Sequence, residues 1–529
     1  MRVLIAVAWP YASGPRHLGH VAGCYLPADI VARYHRLAGD DVLMVSGSDQ
    51  HGTPITVAAE GAGTSPERFA EERHAEIAAS FERLGISFDL YTKTHTQIHT
   101  ETVQRLFLGL HRSGYIEEGL QAAAWCPRER RSLPDRYVEG RCPVCGAADA
   151  RGDQCDTCGS TLDVADLGEP RCRSCGAPAE FRELRQLFLR LDVLQPKIER
   201  YLDEHPDWRA FVLNEARGWV RAGLRPRAIT RDLAWGVPVP LPGWADRRLY
   251  VWFEAVVGYL SASIEWAMRS GEPDAWRAWW EDPKARHRYF LGKDNAPFHA
   301  VWWPGILAGS GENLHLPDDL VVNHYLTSGA KMSASRGVGF GLDESLDRVG
   351  VDPLRHALCA LNPETADVEF TWDQADARTR TGLLGAIANP AYRVASLLWK
   401  RFGGVPHPTA WSETAHERRE AERALEEIGA AIRLGDLRRA LAGIHAVGAQ
   451  VNRTLAAVEP WRLADDEAHR ELTRLLPMLD VLGVAAWPIV PHTAERIRSL
   501  LGRRPTPVAW GLDDSPLKIK QRPEPPLRP

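Results

Sequence analysis

The sequence contains no apolar run long enough to cross a bilayer and no segment with the features of a targeting signal. Its first apolar run, Val3–Val7, is short and leads directly into a loop that contains glycine and histidine. That order predicts a buried first strand rather than a signal peptide. These absences argue against a membrane protein, and we expect a cytoplasmic location with no membrane partner.

An excess of positive charge is also lacking. The 529 residues include 64 lysines and arginines against 69 acidic residues, which gives a net charge of −5. The whole molecule is therefore no polycation, although a local basic face would be enough to bind nucleic acid. One arginine-rich stretch offers either such a face or an ordinary solvated surface, and it contains Arg217, Arg221, Arg225, Arg227 and Arg231.

Cysteine is scarce outside one region. Seven of the nine cysteines lie between Cys126 and Cys175, which in a chain expected to be cytosolic favours metal over disulfides. The spacing of a four-thiolate zinc site, with free reduced cysteines as the alternative, is formed by Cys142, Cys145, Cys155 and Cys158. An incomplete second cluster consists of Cys126, Cys172 and Cys175. We predict one structural Zn²⁺ and leave a second Zn²⁺ open.

The chain begins with a strand–loop–helix–strand order and shows no internal repeat. After Val3–Val7 come the loop Trp9–Arg16, a helix pattern over His17–Leu37 closed by Gly39, and a strand at Val42–Val45. This order predicts an α/β fold with a parallel, doubly wound sheet. Ligands of such sheets bind at the carboxyl ends of the strands, where Trp9–His20 and Asp49 would lie.

The α/β pattern is interrupted once and then gives way to helices. Residues 116–228 break the pattern, and strand-like runs return at Leu249–Trp252 and Tyr289–Leu291, so an insertion splits one nucleotide-binding fold. After Asp373 the apolar residues follow a 3.6-residue period, with Gly435 ending one helix and Asp436 able to cap the next. The residues on the helix faces are Leu425, Ile428, Ile432, Leu437, Leu441, Ile444, Val451 and Leu455.

The tetrad His17-Leu18-Gly19-His20 stands where the first helix begins. A helix N-terminus offers free N–H groups and positive potential, which suit phosphate groups, and two imidazoles three residues apart share one helix face. Gly19 would let a flat base approach the backbone. A metal-binding pair or two surface histidines are the alternatives for the tetrad taken alone.

HLGH near the start and Lys331-Met332-Ser333-Ala334-Ser335 much later are similar to the paired signatures of class I aminoacyl-tRNA synthetases. More narrowly, the chain resembles the methionyl-tRNA synthetase family along almost its whole length. The segments that carry the resemblance include AWPYASGPRHLGH, GSDQHGTP, LPDRYVEG, TRDLAWGVPVP, YVWFEAVVGY, FLGKDNAPFH, GAKMSASRG, VEPW and WPIVPH.

The resemblance implies a Rossmann-type sheet split by a zinc-knuckle insertion and followed by a helical anticodon-binding bundle. The implied domains are residues 1–115 and 229–325 for the catalytic halves, 116–228 for the insertion, 326–375 for the KMSAS loop and stem-contact region, and 376–529 for the bundle with its tail. The family activates methionine with ATP and Mg²⁺ to methionyl-adenylate and transfers the methionyl group to tRNA(Met).

The resemblance also implies roles for single residues. The implied catalytic residues are His17, His20 and Lys331, and ATP contacts are added by Gly19, Lys293, Asp294, Ser333 and Ser335. Asp49 would hold the substrate ammonium, and aromatic walls suit a thioether. The implied amino-acid pocket comprises Trp9, Tyr11, Asp49, Trp252, Ala255, Tyr259, Phe298, His299 and Trp303. Trp461 would stack on an anticodon base.

Three departures from the family pattern stand near these sites. Ala334 occupies the place of a second lysine, and losing one such contact typically costs about 3–4 kcal/mol of transition-state stabilisation. Glu254-Ala255-Val256-Val257 replaces Asp-Ala-Pro-Ile, and Glu129 replaces a cysteine of relatives with two zincs. The alternatives are a divergent paralog that serves another amino acid or a non-tRNA acceptor, and a non-catalytic tRNA-binding relic. No further tRNA-binding or dimerising domain follows the bundle, so we expect a monomer.

Overall fold

The central element is a parallel sheet of five strands. A computed structural model describes residues 1–155, 157–158, 160, 162–332, 338–513, 515, 517–520 and 522–524. The strands lie in the spatial order Asp319–Asn323, Arg286–Gly292, Arg2–Val7, Asp41–Ser48 and Leu90–Lys93, and every pair is parallel. The chain starts in the middle strand, runs to one edge and later crosses to the other. A crevice therefore opens beside Arg2–Val7 at the carboxyl ends of the strands, and the prediction of a split, doubly wound sheet is confirmed.

Both faces of the sheet are covered, as the alternation along its middle strand requires. Val3, Ile5 and Val7 belong to one buried cluster, whereas Leu4 and Ala6 belong to another on the opposite face. The helices of this half are Leu18–His20, Leu26–Leu37, Thr53–Ala62, Pro66–Leu84 and Gln97–Arg112, with a π-helical turn at Val21–Tyr25. The predicted first helix thus continues through one π-helical turn, and Gly39 follows it with a φ of +84°.

The insertion consists of two small antiparallel sheets and two helices. One sheet has the order Arg227–Ala228, Glu180–Leu189, Ile116–Cys126 and Arg131–Ser132, and the other has the order Ala150–Arg151, Val138–Arg141 and Gly168–Cys172. Short 3₁₀ turns lie at Asp135–Tyr137 and Val164–Asp166. The helices Leu191–Asp203 and Ala210–Arg221 pack against each other and against the segment Phe298–Gly309, and their apolar faces belong to the same buried cluster as one face of the parallel sheet. The insertion is thereby anchored beside the crevice.

The strand predicted at Leu249–Trp252 is wrong for most of its length. Only Arg248–Leu249 is a strand, paired with Thr230–Arg231, and a short helix follows over Val251–Ala255. This second half also contains the helices Gly258–Arg269, Arg277–Trp280 and Trp303–Gly309, a 3₁₀ turn at Lys293–Asn295 and a π-helical turn at Phe298–Trp302. Two-residue strands at Leu326–Thr327 and Val368–Glu369 pair with each other.

The remainder of the chain is helical, as predicted. Its helices are Leu342–Val349, Val351–Ala360, Trp372–Arg378, Asn389–Phe402, Pro408–Ser412, Ala415–Leu434, Leu437–Val458, Asp465–Arg474, Leu476–Ala485 and Pro491–Leu500, with a π-helical segment at Thr379–Ala388. The residues predicted for the helix faces are buried: Leu425, Ile428, Ile432, Leu437, Leu441, Ile444, Val451 and Leu455.

The turn between the two longest helices is formed by Gly435, which adopts a φ of +76°. Asp436 takes the N-cap position of Leu437–Val458, but its side chain makes no capping hydrogen bond. A carboxylate oxygen of Glu364 instead accepts the N–H of Arg438 at 3.0 Å. The capping group therefore comes from the segment before the bundle, which couples the two parts of the chain.

The described part of the C-terminal tail lies on the folded chain. The N–H of Trp510 donates to the carbonyl of Leu37 at 2.7 Å, and the N–H of Ile519 donates to that of Gly404 at 2.9 Å. The Ile519 side chain is buried. Within the described residues, no helix has the length and apolarity needed to span a membrane.

Candidate active site

A cavity of about 340 Å³ opens at the carboxyl ends of the middle strands. Its walls include the loop after the first strand, the first helix, the helix Val251–Ala255 and residues between His324 and Met332. Nine of the predicted site residues line it: Trp9, Tyr11, His17, Gly19, His20, Trp252, Asp294, Phe298 and Lys331. Residues from both catalytic halves and from the lysine loop therefore face one volume.

Backbone pairing brings the two signatures together. The N–H of Leu18 donates to the carbonyl of Phe340 at 3.0 Å, and the N–H of Leu342 donates to the carbonyl of Arg16 at 2.9 Å. The chain segment that follows the lysine loop is thus tied to the start of the first helix. The intervening predicted residues Ser333 and Ser335, together with Ala334, lie outside the described residues.

The two signature histidines lie against each other. The rings of His17 and His20 are stacked with their centroids 3.6 Å apart. Burial, with the positive charges of Arg16 and Lys331, lowers the pKa of His17 to about 3. Burial and the adjacent His17 hold the pKa of His20 well below its usual range. Both imidazoles are therefore neutral at pH 7, and each can donate one N–H to an anion. A Cβ at Gly19 would lie 3.0 Å from the His17 ring.

The two predicted ATP lysines share an aromatic neighbour that sequence reasoning missed. Nζ of Lys331 donates to the hydroxyl of Tyr325 at 3.0 Å and lies 3.3 Å from Oδ2 of Asp294. Nζ of Lys293 pairs with Oδ1 of Asp367 at 2.7 Å. Lys293 does not line the cavity, whereas Tyr325 does. Tyr325 stands six residues before Lys331, and this proximity in the sequence could have suggested that it belongs to the site.

The aromatic wall is fixed by a hydrogen bond across the cavity. The indole Nε1 of Trp252 donates to the hydroxyl of Tyr11 at 2.6 Å. The ring of Phe298 meets that of Trp252 edge-on, with the centroids 4.3 Å apart. The short helix at Val251–Ala255 turns Trp252 into this position. Tyr11, Trp252 and Phe298 together form an apolar surface with a polar rim, which suits an apolar side chain.

Trp9 occupies a slot between two glycines. A Cβ built on Gly47 would lie 2.3 Å from the indole of Trp9, and a Cβ on Gly258 would lie 2.6 Å from it. Any larger residue at either position would therefore clash with this ring. The Nε1 atom of Trp9 is buried and finds no hydrogen-bond partner among the described residues. These two glycines are part of the site and were not identified from the sequence.

Asp49 lies at the end of the strand Asp41–Ser48 and is tied to the loop that carries Tyr11. The N–H of Asp49 donates to the carbonyl of Pro10, and the N–H of Ala12 donates to the carbonyl of Asp49, both at 2.8 Å. Burial and the negative charge of Glu254 hold the pKa of the Asp49 carboxyl well above its usual range. A cation placed beside Asp49 would therefore be strongly favoured, because it would stabilise the ionised form.

Four further residues predicted for the amino-acid pocket are placed around the cavity rather than in its described lining: Ala255, Tyr259, His299 and Trp303. The hydroxyl of Tyr259 lies 2.7 Å from Nε2 of His299, and burial lowers the pKa of His299 to about 4. The indole of Trp303 is fully buried and donates to the hydroxyl of Tyr289 at 2.9 Å. Tyr259, His299 and Trp303 thus meet around Tyr289.

The insertion supplies two lining residues that sequence reasoning missed, Arg136 and Gln154. Arg136 belongs to the segment LPDRYVEG, and its guanidinium lies 5.9 Å from the centroid of the Tyr11 ring. The neighbouring Asp135 accepts from Nε of Arg231 at 3.0 Å, and Arg231 belongs to TRDLAWGVPVP. The contact between these two segments thus fastens the insertion over the cavity. Both segments carry the family resemblance, and this could have indicated from the sequence that they belong to the site.

Four cysteines of the insertion fit a zinc ion. The sulfur atoms of Cys142, Cys145, Cys155 and Cys158 all lie within 4.8 Å of one another. The Cys142–Cys158 and Cys145–Cys155 sulfur distances are 3.9 and 3.6 Å. Tetrahedral zinc–thiolate bonds of about 2.3 Å place sulfurs about 3.8 Å apart. The donor set and its spacing therefore match a structural Zn²⁺.

The second cluster supplies three sulfurs, which again lie within 4.8 Å of one another, from Cys126, Cys172 and Cys175. Its turn repeats that of the first cluster: the N–H of Gly176 donates to the carbonyl of Cys172, as that of Gly146 does to Cys142. The carboxylate of Glu129 is paired with Nε of Arg131 at 2.6 Å. No fourth donor from the described residues joins the three sulfurs.

Trp461 lies at the surface of the helical domain with 46% of its area exposed. It follows Glu459, a non-glycine residue with a φ of +47° that ends the helix Leu437–Val458. Arg401 donates to the carbonyls of Pro460 and Leu463, which fixes the turn on both sides of the tryptophan. The indole is thus presented to solvent on a rigid turn.

A doubly wound sheet whose first helix carries HLGH, joined through one cavity to a late lysine loop, defines a class I tRNA synthetase. A sequence profile described as "tRNA synthetases class I (M)" matches residues 3–395. The methionine--tRNA ligase of Thermomicrobium roseum is 45% identical over 94% of this chain and 87% of its own length. That of Corynebacterium urealyticum is 43% identical over 95% of this chain and 85% of its own length.

A solved structure agrees with these relatives. Mycobacterium tuberculosis methionyl-tRNA synthetase in complex with methionyl-adenylate superposes with a TM-score of 0.80 and 25% identity, over 99% of both chains. The chain belongs to the methionine--tRNA ligase family. None of these comparisons favours the paralog or the relic.

Proposed function

We propose that the chain is a methionine--tRNA ligase, which uses ATP to form methionyl-adenylate and pyrophosphate and then transfers the methionyl group to tRNA(Met). The observation that carries the proposal is the single cavity at the switch of strand order. It is lined by the aromatic wall, the stacked histidines and Lys331. Asp49 follows the strand Asp41–Ser48, and its backbone is hydrogen-bonded to the loop that carries Tyr11. An amino acid and a nucleotide can therefore meet there.

The first step needs no general base, because the nucleophile is already a carboxylate. One methionine carboxylate oxygen attacks the α-phosphorus of ATP, and the bond to the bridging oxygen of pyrophosphate breaks. The ammonium group would be held by Asp49, whose raised pKa is lowered again when the cation arrives. The aromatic wall of Tyr11, Trp252 and Phe298 would hold the thioether. Catalysis then rests on position and on charge stabilisation.

ATP would be bound by hydrogen-bond donors and by cationic side chains. The neutral imidazoles of His17 and His20 would donate to phosphate oxygens, and Lys331 would meet the departing pyrophosphate. Asp294 would accept from the ribose hydroxyls. Mg²⁺ bound with ATP would neutralise part of the phosphate charge. The roles of Lys293, Gly19, Ser333 and Ser335 in ATP binding stay predictions.

The remaining assignments concern the insertion, the helical domain and the assembly. Zn²⁺ at Cys142, Cys145, Cys155 and Cys158 would hold the insertion in its folded form. Trp461 would stack on an anticodon base, for which its exposure on a fixed turn is the supporting observation. The monomeric state, the cytoplasmic location and the domain boundaries 1–115, 116–228, 229–325, 326–375 and 376–529 stay predictions.

The test is methionine-dependent exchange between ATP and labelled pyrophosphate, followed by charging of tRNA(Met). We expect exchange in the wild-type protein and a loss of roughly a hundredfold or more in Lys331→Ala. Lys197→Ala is the matched control, because Lys197 bonds a carbonyl of Ala308 outside the cavity. Absence of exchange with methionine would overturn the proposal, and exchange with a different amino acid would identify another substrate. Ala334→Lys would show how much the missing lysine costs.

A further inference from the structure

Tyr325 stands between the two lysines that are predicted to bind ATP. Nζ of Lys331 lies 4.1 Å from the centroid of its ring, and Nζ of Lys293 lies 4.2 Å from the same centroid. Two ammonium groups are therefore held by one aromatic residue that itself lines the cavity. We propose that Tyr325 is a positioning residue that holds Lys331 and Lys293 where the phosphates of ATP bind. This inference rests on the proposed function.

Two aspartates pair with the lysines, and one of them also binds the backbone of Tyr325. Nζ of Lys331 lies 3.3 Å from Oδ2 of Asp294, while Nζ of Lys293 lies 2.7 Å from Oδ1 of Asp367. The same Oδ1 of Asp367 accepts the N–H of Tyr325 at 2.9 Å. Pairing of Leu326–Thr327 with Val368–Glu369 follows directly in the chain. The aromatic ring is thus anchored through its main chain, independently of the lysine loop.

The contacts of Tyr325 are polar and cationic rather than those of a core residue. Its hydroxyl accepts from Nζ of Lys331 at 3.0 Å. Among the described residues, it belongs to none of the hydrophobic clusters that build the core. A tyrosine that only stabilised the fold would pack its ring on apolar side chains. This ring instead faces two cations.

The physical role follows from the nature of lysine. A lysine ammonium sits on a flexible four-carbon stem, and ordering that stem costs conformational entropy. An aromatic face attracts the cation without taking up its hydrogen-bond donors, so the ammonium can remain on the ring while its acceptor changes. When polyphosphate enters, the phosphate oxygens can replace the carboxylates of Asp294 and Asp367. Lys331 would then meet the leaving group from the cavity wall, and Lys293 would approach it from the other side of its contact with the Tyr325 ring, outside the present lining.

The contact of Tyr325 with the two lysines is especially important in this chain, because one lysine of the family signature is missing. Ala334 replaces the second lysine of the family signature, so Lys331 is the remaining lysine of the KMSAS motif. The departing pyrophosphate would be met by Lys331 from the loop and by Lys293 from the end of the sheet. Tyr325 is the shared contact that sets the position of both.

The first experiment compares Tyr325→Leu and Tyr325→Phe in methionine-dependent ATP–pyrophosphate exchange. We expect Tyr325→Leu to lower kcat by about tenfold to thirtyfold, the value of a partly desolvated cation–π contact, with the KM for methionine unchanged. Tyr325→Phe keeps the ring and loses only the hydroxyl contact with Lys331, so its loss should be smaller, about fivefold. Tyr115→Leu is the control, because Nζ of Lys197 lies 5.2 Å from the Tyr115 ring, away from the cavity.

The second experiment measures binding directly and does not depend on turnover. Calorimetric titrations of MgATP and of adenosine are compared for wild type and both variants. We expect Tyr325→Leu to weaken ATP binding and to leave adenosine binding and Tm unchanged. Equal weakening of adenosine and ATP, or a similar loss in Tyr325→Phe and Tyr325→Leu, would overturn the positioning role, as would unchanged ATP affinity. If the wild-type protein binds ATP but shows no exchange, the proposed function fails while the binding comparison still decides the role of Tyr325.

Discussion

Oδ2 of Asp29 lies 2.6 Å from a guanidinium nitrogen of Arg355, and neither side chain has any exposed area. The same guanidinium donates to the carbonyls of Ile489 and Pro488 at 2.8 Å. One arginine thus joins the first helix of the nucleotide fold, the helix Val351–Ala360 and the segment WPIVPH. This contact links the nucleotide fold to the helical part of the chain.

Replacing Arg355 by methionine should destabilise the protein by about 3–5 kcal/mol, because it leaves the carboxylate of Asp29 buried with less compensation. Urea denaturation measures the change. Arg83→Met is the control, since its pairs with Asp343 and Asp347 lie at the surface and should contribute little. A stability of Arg355→Met equal to that of Arg83→Met would contradict the structural role assigned to the pair.

The second prediction concerns the pH dependence of methionine binding. Glu254 is fully buried and lies 2.9 Å from Nδ1 of His51. Burial alone would raise its pKa, but His51 and His99 outweigh burial, so the pKa of Glu254 lies below its usual value. Glu254 is therefore ionised, and its charge contributes to the raised pKa of Asp49.

In Glu254→Gln this charge is removed, and the pKa of Asp49 should fall. The proposed binding of the ammonium by Asp49 requires the ionised carboxylate, so the KM for methionine should rise as the pH falls through the pKa of Asp49. That rise should move to lower pH in the variant. Measuring the KM for methionine between about pH 5 and pH 8 checks it. Glu265→Gln serves as control, because Glu265 bonds Thr92 and Arg269 instead. A shift to higher pH, or an equal shift in both variants, would refute the coupling.

The third prediction concerns metal content. We expect about one zinc per chain by elemental analysis, because only one cluster offers four sulfurs among the described residues. Cys145→Ser should lose that zinc and increase hydrogen exchange over residues 138–172, since metal binding supplies folding energy there. Cys126→Ser should leave the zinc content unchanged. Two zincs in the wild type, with one lost in Cys126→Ser, would mean that the three-cysteine cluster also binds metal.

The fourth prediction separates RNA binding from chemistry. Trp461→Ala should lower kcat/KM for charging of tRNA(Met) by about tenfold to a hundredfold, the usual worth of a stacked base, and leave ATP–pyrophosphate exchange unchanged. Leu434→Ala is a suitable control, because Leu434 is an exposed apolar residue of the same domain. Unchanged charging by Trp461→Ala would show that the exposed indole has another role.

Local patterns in the sequence were sufficient to predict the first strand and the long C-terminal helices. The run Val3–Val7 is apolar throughout, as a strand buried on both faces requires, whereas Leu425, Ile428 and Ile432 recur with a period of 3.6 residues. All of these side chains are buried. Gly435 ends its helix because a left-handed residue is needed there. The strand predicted at Leu249–Trp252 failed because β-branched and aromatic residues favour strands only weakly, and the chain turns instead so that Trp252 bonds Tyr11.

The amino-acid sequence by itself determined the two signatures, the four-cysteine spacing and the strand–helix order that is interrupted once. Each of these can be recognised from residues close together in the chain. Only the tertiary structure showed that Arg136 and Gln154 of the insertion line the cavity, that Gly47 and Gly258 make room for Trp9, and that both lysines lie against the ring of Tyr325. These contacts join residues far apart in the chain. They depend on the order in which strands enter the sheet and on which side chains meet at its edge, and no local periodicity encodes either.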